Sequence, residues 1–201
     1  KAARGASSFR PFDRGRDGFL TGEGGAALLF ESADAARARG AEPVGRLLGT
    51  GNTHEIDLEN RIPVPRKAIG RACAIALAEA GLAPADLSLL ILHGSATKRG
   101  DYNELAAASD LLGGAAGDVP LVGLKPYTGH MGAASDIGEL IFGLCALRDG
   151  RLPPTPGFDQ AEAGFDGLHI PKSPSSLAGE SFLSISYGIG GQTSATVVGA
   201  P

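Results

Sequence analysis

The chain has 201 residues, of which 43% are hydrophobic, enough to bury one sizeable core and consistent with one domain or half of a larger one. Its formal net charge is -4 at pH 7, and no lysine or arginine cluster indicates a nucleic-acid partner or an anionic membrane surface. The apolar runs are far shorter than the roughly 20 residues that span a bilayer, and no signal sequence opens the chain, so the default location is cytoplasmic. The chain begins at Lys1 rather than methionine, which indicates a cut, a processing site or a missing segment.

The N-terminal part of the chain is predicted to contain two strands, 24–31 and 41–51, and two helices. The first helix has Ser32 as its N-cap and ends at Gly40. The second helix ends at Gly81 and buries one face. The apolar positions on that face recur with helical spacing and are Ile69, Ala72, Cys73, Ala76, Leu77 and Ala80.

The central part is predicted to place a histidine at the end of a buried strand. Residues 87–92 form a nearly unbroken apolar run, typical of a strand covered on both faces, and His93 follows at its carboxyl end. Sites collect at that end in layered α/β folds. Asp101 and Glu104 have the spacing of a capping box, so they are predicted to open a helix that reaches Leu112.

The C-terminal part is predicted to end on two strands. A short strand over 119–123 precedes a helix that ends near residue 149 and buries Ile137, Leu140, Ile141 and Leu144. Three prolines then force an extended connection, predicted to be mostly irregular as far as residue 179. The last two strands, 182–187 and 193–198, flank a glycine turn. Strands therefore alternate with helices, which indicates an α/β fold.

The two cysteines are predicted to be inert. Cys73 and Cys145 are too few for a disulfide framework, and each lies in an apolar helical pattern. A cysteine in such a position behaves as a small hydrophobic residue.

Two of the four histidines lie in glycine-flanked loops after predicted strands, His93 in HGSAT and His130 in KPYTGHMGAAS. One loop histidine is as often a satisfied polar residue as a functional one, but two in matching contexts favour a site. A neutral imidazole that donates from Nε2 can hydrogen-bond a carbonyl as it becomes an enolate. Two such donors on one oxygen make an oxyanion hole.

Four motifs in this order, RPFDRGRDGFLTGEGGAALLFE, HGSATKRGD, KPYTGHMGAAS and SYGIGGQ, resemble the C-terminal half of elongating β-ketoacyl-ACP synthases. The resemblance implies the thiolase-like αβαβα layered fold, of which residues 1–201 would form the C-terminal half-domain. The nucleophilic cysteine would lie in an N-terminal half upstream. We therefore expect the chain alone to lack both condensing activity and a stable fold.

The resemblance also implies a reaction and partners. The reaction is decarboxylative Claisen condensation of acyl and malonyl-ACP thioesters in fatty acid or polyketide biosynthesis. No cofactor is implied, because the phosphopantetheine of acyl carrier protein carries the substrates. The implied partners are acyl carrier protein and an N-terminal ketosynthase half or partner chain, in a homo- or heterodimeric assembly.

The resemblance implies roles for the motif residues. His93 and His130 would hold the malonyl thioester carbonyl and stabilise its enolate, and Lys125, otherwise a surface lysine, would pair with Glu139 to organise the site. Asp101 and Glu104 are expected to support the site structurally.

Other motif positions would contact the substrate. Ser95 and Thr97 would touch the phosphopantetheine arm, although they could otherwise be loop-capping residues. Ile189 and Gly190 belong to a turn that resembles the family's glycine-rich gating loop, where the amide at the Ile189 position helps to stabilise the acyl thioester oxyanion. Glycine permits the close backbone approach that this requires.

The motifs depart from the commonest family sequences at four places. HGTGT becomes HGSAT, the serine after the lysine becomes Pro126, and the asparagine of NSFGFGG becomes Ile185. Ile189 stands where family members commonly carry phenylalanine. A branched aliphatic residue in place of a planar ring changes the wall beside the acyl group, so the acyl specificity is expected to differ.

Competing interpretations are weaker. A non-catalytic chain-length-factor-like subunit would typically lack the histidine pair, and thiolases or initiating ketosynthases use a second cysteine or an asparagine at Ile185 or His130. The glycine turn lies between two strands, so it lacks the helix N-terminus that a dinucleotide site needs. The polar segment with His54, Glu55 and Asp57 lacks the HExxH spacing of a metal site.

Overall fold

A computed structural model describes residue 5 and residues 9–56, 64–188 and 190–201 of the chain. The helices are α1 (Ala33–Ala38), α2 (Lys67–Ala80), α3 (Lys98–Leu112), α4 (Lys125–Thr128) and α5 (Ala133–Asp149). The strands are β1 (Arg46–His54), β2 (Leu89–Leu92), β3 (Leu121–Gly123), β4 (Arg151–Leu152), β5 (Ser175–Ser176), β6 (Ser181–Tyr187) and β7 (Gln192–Gly199). Short 3-10 helices span Pro84–Asp86 and Gly113–Ala115.

Five strands form one mixed sheet in the order β1-β7-β6-β2-β3. β2 runs parallel to β3 and β6, whereas β7 runs antiparallel to β1 and β6. All four residues of β2 are buried, because helices cover both faces of the sheet at its centre. α2 and α3 pack on one face and α5 on the other. The predicted α/β alternation and the closing pair of strands are confirmed.

α2 lies directly on β1, and two glycines make that approach possible. A Cβ added to Gly49 would lie 2.1 Å from the carbonyl oxygen of Ala76, and one added to Gly51 would lie 2.0 Å from that of Ala72. Helix and strand therefore touch backbone to backbone. The predicted buried face of this helix is confirmed, as is its end at Gly81 in the left-handed conformation.

The predicted strand over 24–31 is wrong. The structure has no regular element there, and the side chains of Leu29 and Phe30 are 83% and 61% exposed. A strand needs a neighbour for its backbone hydrogen bonds, and no strand of the described residues pairs with this segment. The helix that follows is confirmed, with the Ser32 hydroxyl accepting from the amide of Ala35.

Two other elements differ in detail from the sequence prediction. β1 begins five residues later than expected, at Arg46, because Pro43 has no amide to donate to a neighbouring strand. In α5, Leu140 is buried, and Ile137 and Leu144 are partly buried against the same core, so three of the four predicted apolar positions face it. Gly143 also faces the sheet, where an added Cβ would lie 2.4 Å from the ring of Phe182.

Candidate active site

His93 lies at the carboxyl end of β2, in the loop that leads to α3. A buried carboxylate on α3 holds the backbone of this loop. The Glu104 side chain accepts from the amide of His93 at 2.6 Å and from the amide of Gly94 at 2.9 Å. β2 therefore places His93 at its carboxyl end, and Glu104 fixes the backbone conformation at His93 and Gly94.

Lys125 begins α4 directly after β3, and its side chain is fully buried beside His93. The ammonium donates to the His93 carbonyl oxygen at 2.7 Å and to Glu139 Oε1 at 2.8 Å, and it lies 3.3 Å from His93 Nδ1. An ammonium has three donors and no acceptor. His93 Nδ1 must therefore accept, so the ring carries its proton on Nε2.

His130 is held in the same tautomer by a different contact. The amide of Gly132 donates to His130 Nδ1 at 3.1 Å, which leaves Nε2 as the protonated nitrogen. The backbone of His130 is fixed by the segment before residue 23. Its amide donates to the carbonyl of Leu20 at 2.8 Å and its carbonyl accepts from the amide of Gly22 at 3.1 Å.

The structure brings the two histidines together. Their ring centroids lie 5.2 Å apart with an interplanar angle of 77°. Both rings line one cavity of about 640 Å³. This cavity therefore holds two imidazoles whose Nε2–H groups are both available as donors, which is the arrangement that stabilises a developing oxyanion.

Burial keeps both imidazoles neutral. Desolvation, followed by electrostatic interactions with Lys125 and His130, lowers the pKa of His93 well below its ordinary value. Desolvation and then Lys125 lower the pKa of His130 to about 4. A neutral imidazole protonated on Nε2 can donate to a carbonyl without carrying charge into the cavity.

We expect His130 to titrate near pH 4 in the assembled protein rather than near the ordinary value of 6.5. As the pH falls, the unfolded chain binds a proton at this imidazole near pH 6.5, whereas the folded chain binds one only near pH 4. The free energy of unfolding should therefore decrease between about pH 6.5 and pH 4. Proton–nitrogen NMR spectra of the histidine side chains would give both the midpoint and the tautomer. A midpoint near pH 6.5, or a proton on Nδ1, would contradict the assignment.

The two acidic residues of the expected capping box have another position. The N-cap of α3 is Thr97, whose side chain makes no capping bond, and Asp101 and Glu104 lie inside the helix, fully buried. Asp101 Oδ2 accepts from the amide of Phe12 at 2.7 Å and lies 3.6 Å from Arg16 Nε. The capping-box prediction is wrong, because α3 begins after Thr97 rather than at Asp101, and the two carboxylates accept from the amides of Phe12, His93 and Gly94.

The Lys125–Glu139 pair is buried, as the sequence led us to expect. Burial raises the pKa of Glu139 to about 7, against the lowering influence of Lys125. Burial likewise raises the pKa of Asp101 to about 7. Such groups cost free energy to bury, so their contribution here is to orient neighbours.

Ser95 and Thr97 lie in the same cavity as the histidines, and their hydroxyl oxygens are 2.9 Å apart. The loop that carries them contains Ala96 with a positive φ of 58°. This unusual conformation turns both hydroxyls of the HGSAT segment toward one side.

The glycine turn after β6 closes another part of the cavity, where Gly188 lies in its lining. Ile189 lies outside the described residues. Gly190 has a φ of 117°, and its carbonyl accepts from His54 Nε2 at 2.6 Å. A Cβ added to Gly191 would lie 2.1 Å from the carbonyl oxygen of Glu55, so the turn packs against the end of β1.

Three contributors to the site are not predicted by the sequence. The first is His54, whose Nε2 lies 2.6 Å from the carbonyl oxygen of Gly190 in the glycine turn. The ring of Tyr187 lies 4.3 Å from that of His93, and the ring of Phe19 lies 5.3 Å from that of His130. Phe19 and Tyr187 belong to the quoted motifs, which is the only signal that the sequence offered.

Neither cysteine of the chain lines the cavity. Cys73 lies on the buried face of α2, and desolvation raises its pKa to about 12. Such a thiol does not form the thiolate that a nucleophile requires at neutral pH. Cys145 lies in a separate groove beside α5.

The part of the chain that the structure describes holds no group of three or more histidine, cysteine or acidic side chains placed to bind a metal ion. Asp57 lies outside that part, while Glu55 accepts from the amides of Arg66 and Ala68 at the start of α2. None of the described helices combines the length and apolar character needed to cross a membrane.

Comparison with known proteins identifies the domain. A model of the β-ketoacyl synthase C-terminal domain matches residues 44–159. The chain is 34% identical over 198 residues to the tetracenomycin polyketide synthase ketoacyl synthase alpha subunit of Streptomyces glaucescens, covering 98% of this chain and 46% of that protein. It is 34% identical over 189 residues to 3-oxoacyl-[acyl-carrier-protein] synthase 2 of Staphylococcus aureus, covering 94% and 47%. The chain thus spans about half the length of these relatives.

Solved structures share the fold. A type II polyketide ketosynthase, solved with its acyl carrier protein and bound to the hexaketide, matches with a TM-score of 0.90 and 28% identity over 100% of this chain and 50% of that one. The ishigamide ketosynthase/chain length factor matches with a TM-score of 0.85 and 31% identity over 96% and 47%. The thiolase-like α/β fold expected from the motifs is therefore confirmed. This chain belongs to the β-ketoacyl synthase family of fatty acid and polyketide biosynthesis and carries the family's C-terminal domain.

Proposed function

We propose that this chain is the histidine-bearing half of a β-ketoacyl-ACP synthase that condenses acyl and malonyl thioesters with loss of carbon dioxide. The observation that carries the proposal is the pair of Nε2–H donors, His93 and His130, in one cavity. The support from relatives is indirect, because the chain covers less than half of the length of each curated protein named above.

The proposed chemistry begins at the malonyl thioester carbonyl. Its oxygen accepts hydrogen bonds from His93 Nε2 and His130 Nε2 while the bond between the α-carbon and the carboxylate breaks. The electron pair of that bond moves into the enolate, and carbon dioxide leaves. Two neutral donors stabilise the new negative charge on oxygen without taking up a proton.

Carbon–carbon bond formation then needs a second component. The enolate carbon attacks an acyl group held as a thioester on a cysteine, and the cysteine sulfur leaves as a thiolate. Since neither Cys73 nor Cys145 lies at the cavity, we assign the nucleophile to an N-terminal half. Leu29 and Phe30, exposed on the irregular segment before α1, are apolar surface that such a half could cover.

Lys125 supports the donors in this proposal. Its ammonium contacts both the carbonyl and Nδ1 of His93, so it fixes the tautomer and the position of that ring. Glu139 holds the ammonium in place. Ser95 and Thr97 are placed to contact the phosphopantetheine arm of acyl carrier protein, the proposed partner.

A non-catalytic subunit that pairs with an active ketosynthase is the second candidate. The similarity to a ketosynthase/chain length factor structure favours considering it. The complete donor pair and its buried lysine support argue against it, because a subunit without chemistry gains nothing from burying these polar groups.

The test is to produce the chain together with its N-terminal half and acyl carrier protein and to measure β-ketoacyl product. Condensation that depends on a cysteine in the N-terminal half would support the enzyme. A different residue at that position, or condensation only when a second ketosynthase is added, would favour the non-catalytic subunit. The isolated chain is expected to give neither product nor a monodisperse peak in gel filtration.

We also expect Ile189 to shape acyl acceptance, because in the sequence it directly follows Gly188, which lines the cavity. Replacing it with phenylalanine should change the ranking of acyl donors. The measurement is relative kcat/KM over saturated, unsaturated and aryl donors. An unchanged ranking would remove Ile189 from the set of specificity residues.

A further inference from the structure

Asp136 lines the cavity of the histidine pair but has no part in the proposed condensation. It lies in the first turn of α5, and Gly132 and Ser186 are also in the lining. The two imidazoles are neutral at physiological pH, because burial lowers their pKa values. Asp136 is therefore the acidic group of a lining that, within the described residues, contains no lysine or arginine.

Stabilisation of the helix start does not explain why this carboxylate lies in the cavity. A negative charge in the first turn interacts favourably with the helix dipole, but a solvent-exposed side chain does this equally well. Asp136 is instead partly buried, and desolvation raises its pKa against the lowering influences of Ser186 and Lys125. A carboxylate that has lost part of its hydration is stabilised when a ligand donates a hydrogen bond to it.

The neighbouring cation does not use up the acceptor capacity of Asp136. Lys125 acts on Asp136 electrostatically, but its ammonium donates to the His93 carbonyl oxygen at 2.7 Å and to Glu139 Oε1 at 2.8 Å. An ionised carboxylate has about four acceptor positions, and the single hydrogen of the Ser186 hydroxyl occupies at most one of them. Asp136 therefore keeps acceptors for a group that enters the cavity.

The fold sets the side from which Asp136 approaches a bound thioester. α3 packs on one face of the sheet and α5 on the other, so the Ser95–Thr97 segment before α3 and Asp136 on α5 reach the cavity from opposite faces. Gly132, the N-cap of α5, donates to His130 Nδ1 at 3.1 Å, which fixes that ring against the start of the same helix. In the proposed function, a thioester with its sulfur toward Ser95 and Thr97 presents its α-carbon toward Asp136.

We propose that Asp136 is a specificity-determining residue that selects malonyl thioesters with a hydrogen-bond donor, a hydroxyl or an amino group, on the α-carbon. The carboxylate accepts from this donor while His93 and His130 hold the thioester carbonyl oxygen. An α-methyl group has nearly the same size but leaves the desolvated carboxylate without that bond, so the discrimination is by polarity. This inference rests on the proposed function, since it assigns the malonyl unit to this cavity.

The test compares malonyl-, methylmalonyl-, hydroxymalonyl- and aminomalonyl-carrier protein as substrates of the complete synthase, with one fixed acyl donor. In the wild type we expect kcat/KM for hydroxymalonyl to exceed that for methylmalonyl roughly 10- to 100-fold, the effect of one hydrogen bond to a charged group. In Asp136→Ala this ratio should fall to within about 3-fold of one. Asp136→Asn keeps an acceptor oxygen but removes the charge, so it should reduce the preference for aminomalonyl more than that for hydroxymalonyl.

Asp149→Asn is the matched control. Asp149 ends the same helix, is exposed and lies outside the lining of the histidine cavity. Its replacement should leave all the ratios of kcat/KM unchanged, whereas a shift as large as that of Asp136→Asn would overturn the inference.

The wild type alone already tests the proposal, whether or not the Asp136 variants fold. Equal kcat/KM values for hydroxymalonyl and methylmalonyl would overturn the inference and leave the proposed function intact. An equal change for all four substrates in Asp136→Ala would also overturn it, because such a change indicates an effect on the shared malonyl carboxylate or on folding. Failure of the wild-type synthase to condense any of the four would overturn the proposed function itself.

Discussion

Replacing His130 with alanine is expected to slow the release of carbon dioxide from malonyl-carrier protein on the order of 10²- to 10³-fold in the complete synthase. The variant removes one of two Nε2–H donors from the cavity and leaves the other. Transfer of an acyl group to the cysteine should stay measurable, because that step forms its oxyanion elsewhere. The two half-reactions should therefore separate.

The experiment follows carbon dioxide release and acyl-enzyme formation in the same preparation. His169→Ala is the matched control, since His169 is exposed and lies outside the cavity lining. Unchanged carbon dioxide release in the His130 variant would contradict the oxyanion role. Equal losses in decarboxylation and acyl transfer would indicate a general disturbance of the site.

Replacing Lys125 with methionine should reduce both stability and decarboxylation. Methionine fills similar volume but leaves Glu139 without its cation in the interior. Breaking a buried ion pair costs about 3–5 kcal/mol, and here the lower end applies because Glu139, with a pKa of about 7, can take up a proton. The loss of the donor to His93 Nδ1 frees that ring to change tautomer.

A second variant distinguishes the two effects. In Lys125→Met with Glu139→Leu, both charges leave together, so we expect the melting temperature to recover while decarboxylation stays low. Lys172→Met serves as the control, because its pair with Asp159 is exposed and contributes little to stability. Full activity in the double variant would show that Lys125 does not organise His93.

The pH behaviour of the site follows from desolvation. Because burial lowers the pKa values of both histidines, the donor pair stays neutral across the physiological range. Desolvation keeps the histidines neutral and able to donate at neutral pH. In acid the same desolvation opposes their protonation in the folded state, so protonation favours the unfolded state. Lys125 adds to this effect, since its charge lowers both pKa values.

Local patterns in the sequence were sufficient for much of the fold. The helical spacing from Ile69 to Ala80 predicted α2, and the apolar run before His93 predicted β2, because periodicity and burial are properties of the segment itself. The segment 24–31 is as apolar as a strand, so the sequence predicted a strand where the structure has an irregular conformation. Whether such a segment pairs depends on a neighbouring edge, which the segment does not encode.

For the candidate site, the sequence predicts the identity of the residues but not their tautomers or hydrogen-bond partners. The sequence by itself determined which residues carry chemistry, since His93 and His130 follow strands in glycine-rich loops and belong to motifs that resemble one family. Only the tertiary structure decided their state. The tautomers depend on Lys125 and on the amide of Gly132, and the acceptor role of Glu104 joins residues of different segments. Hydrogen bonds and desolvation act through space, so no local spacing could predict them.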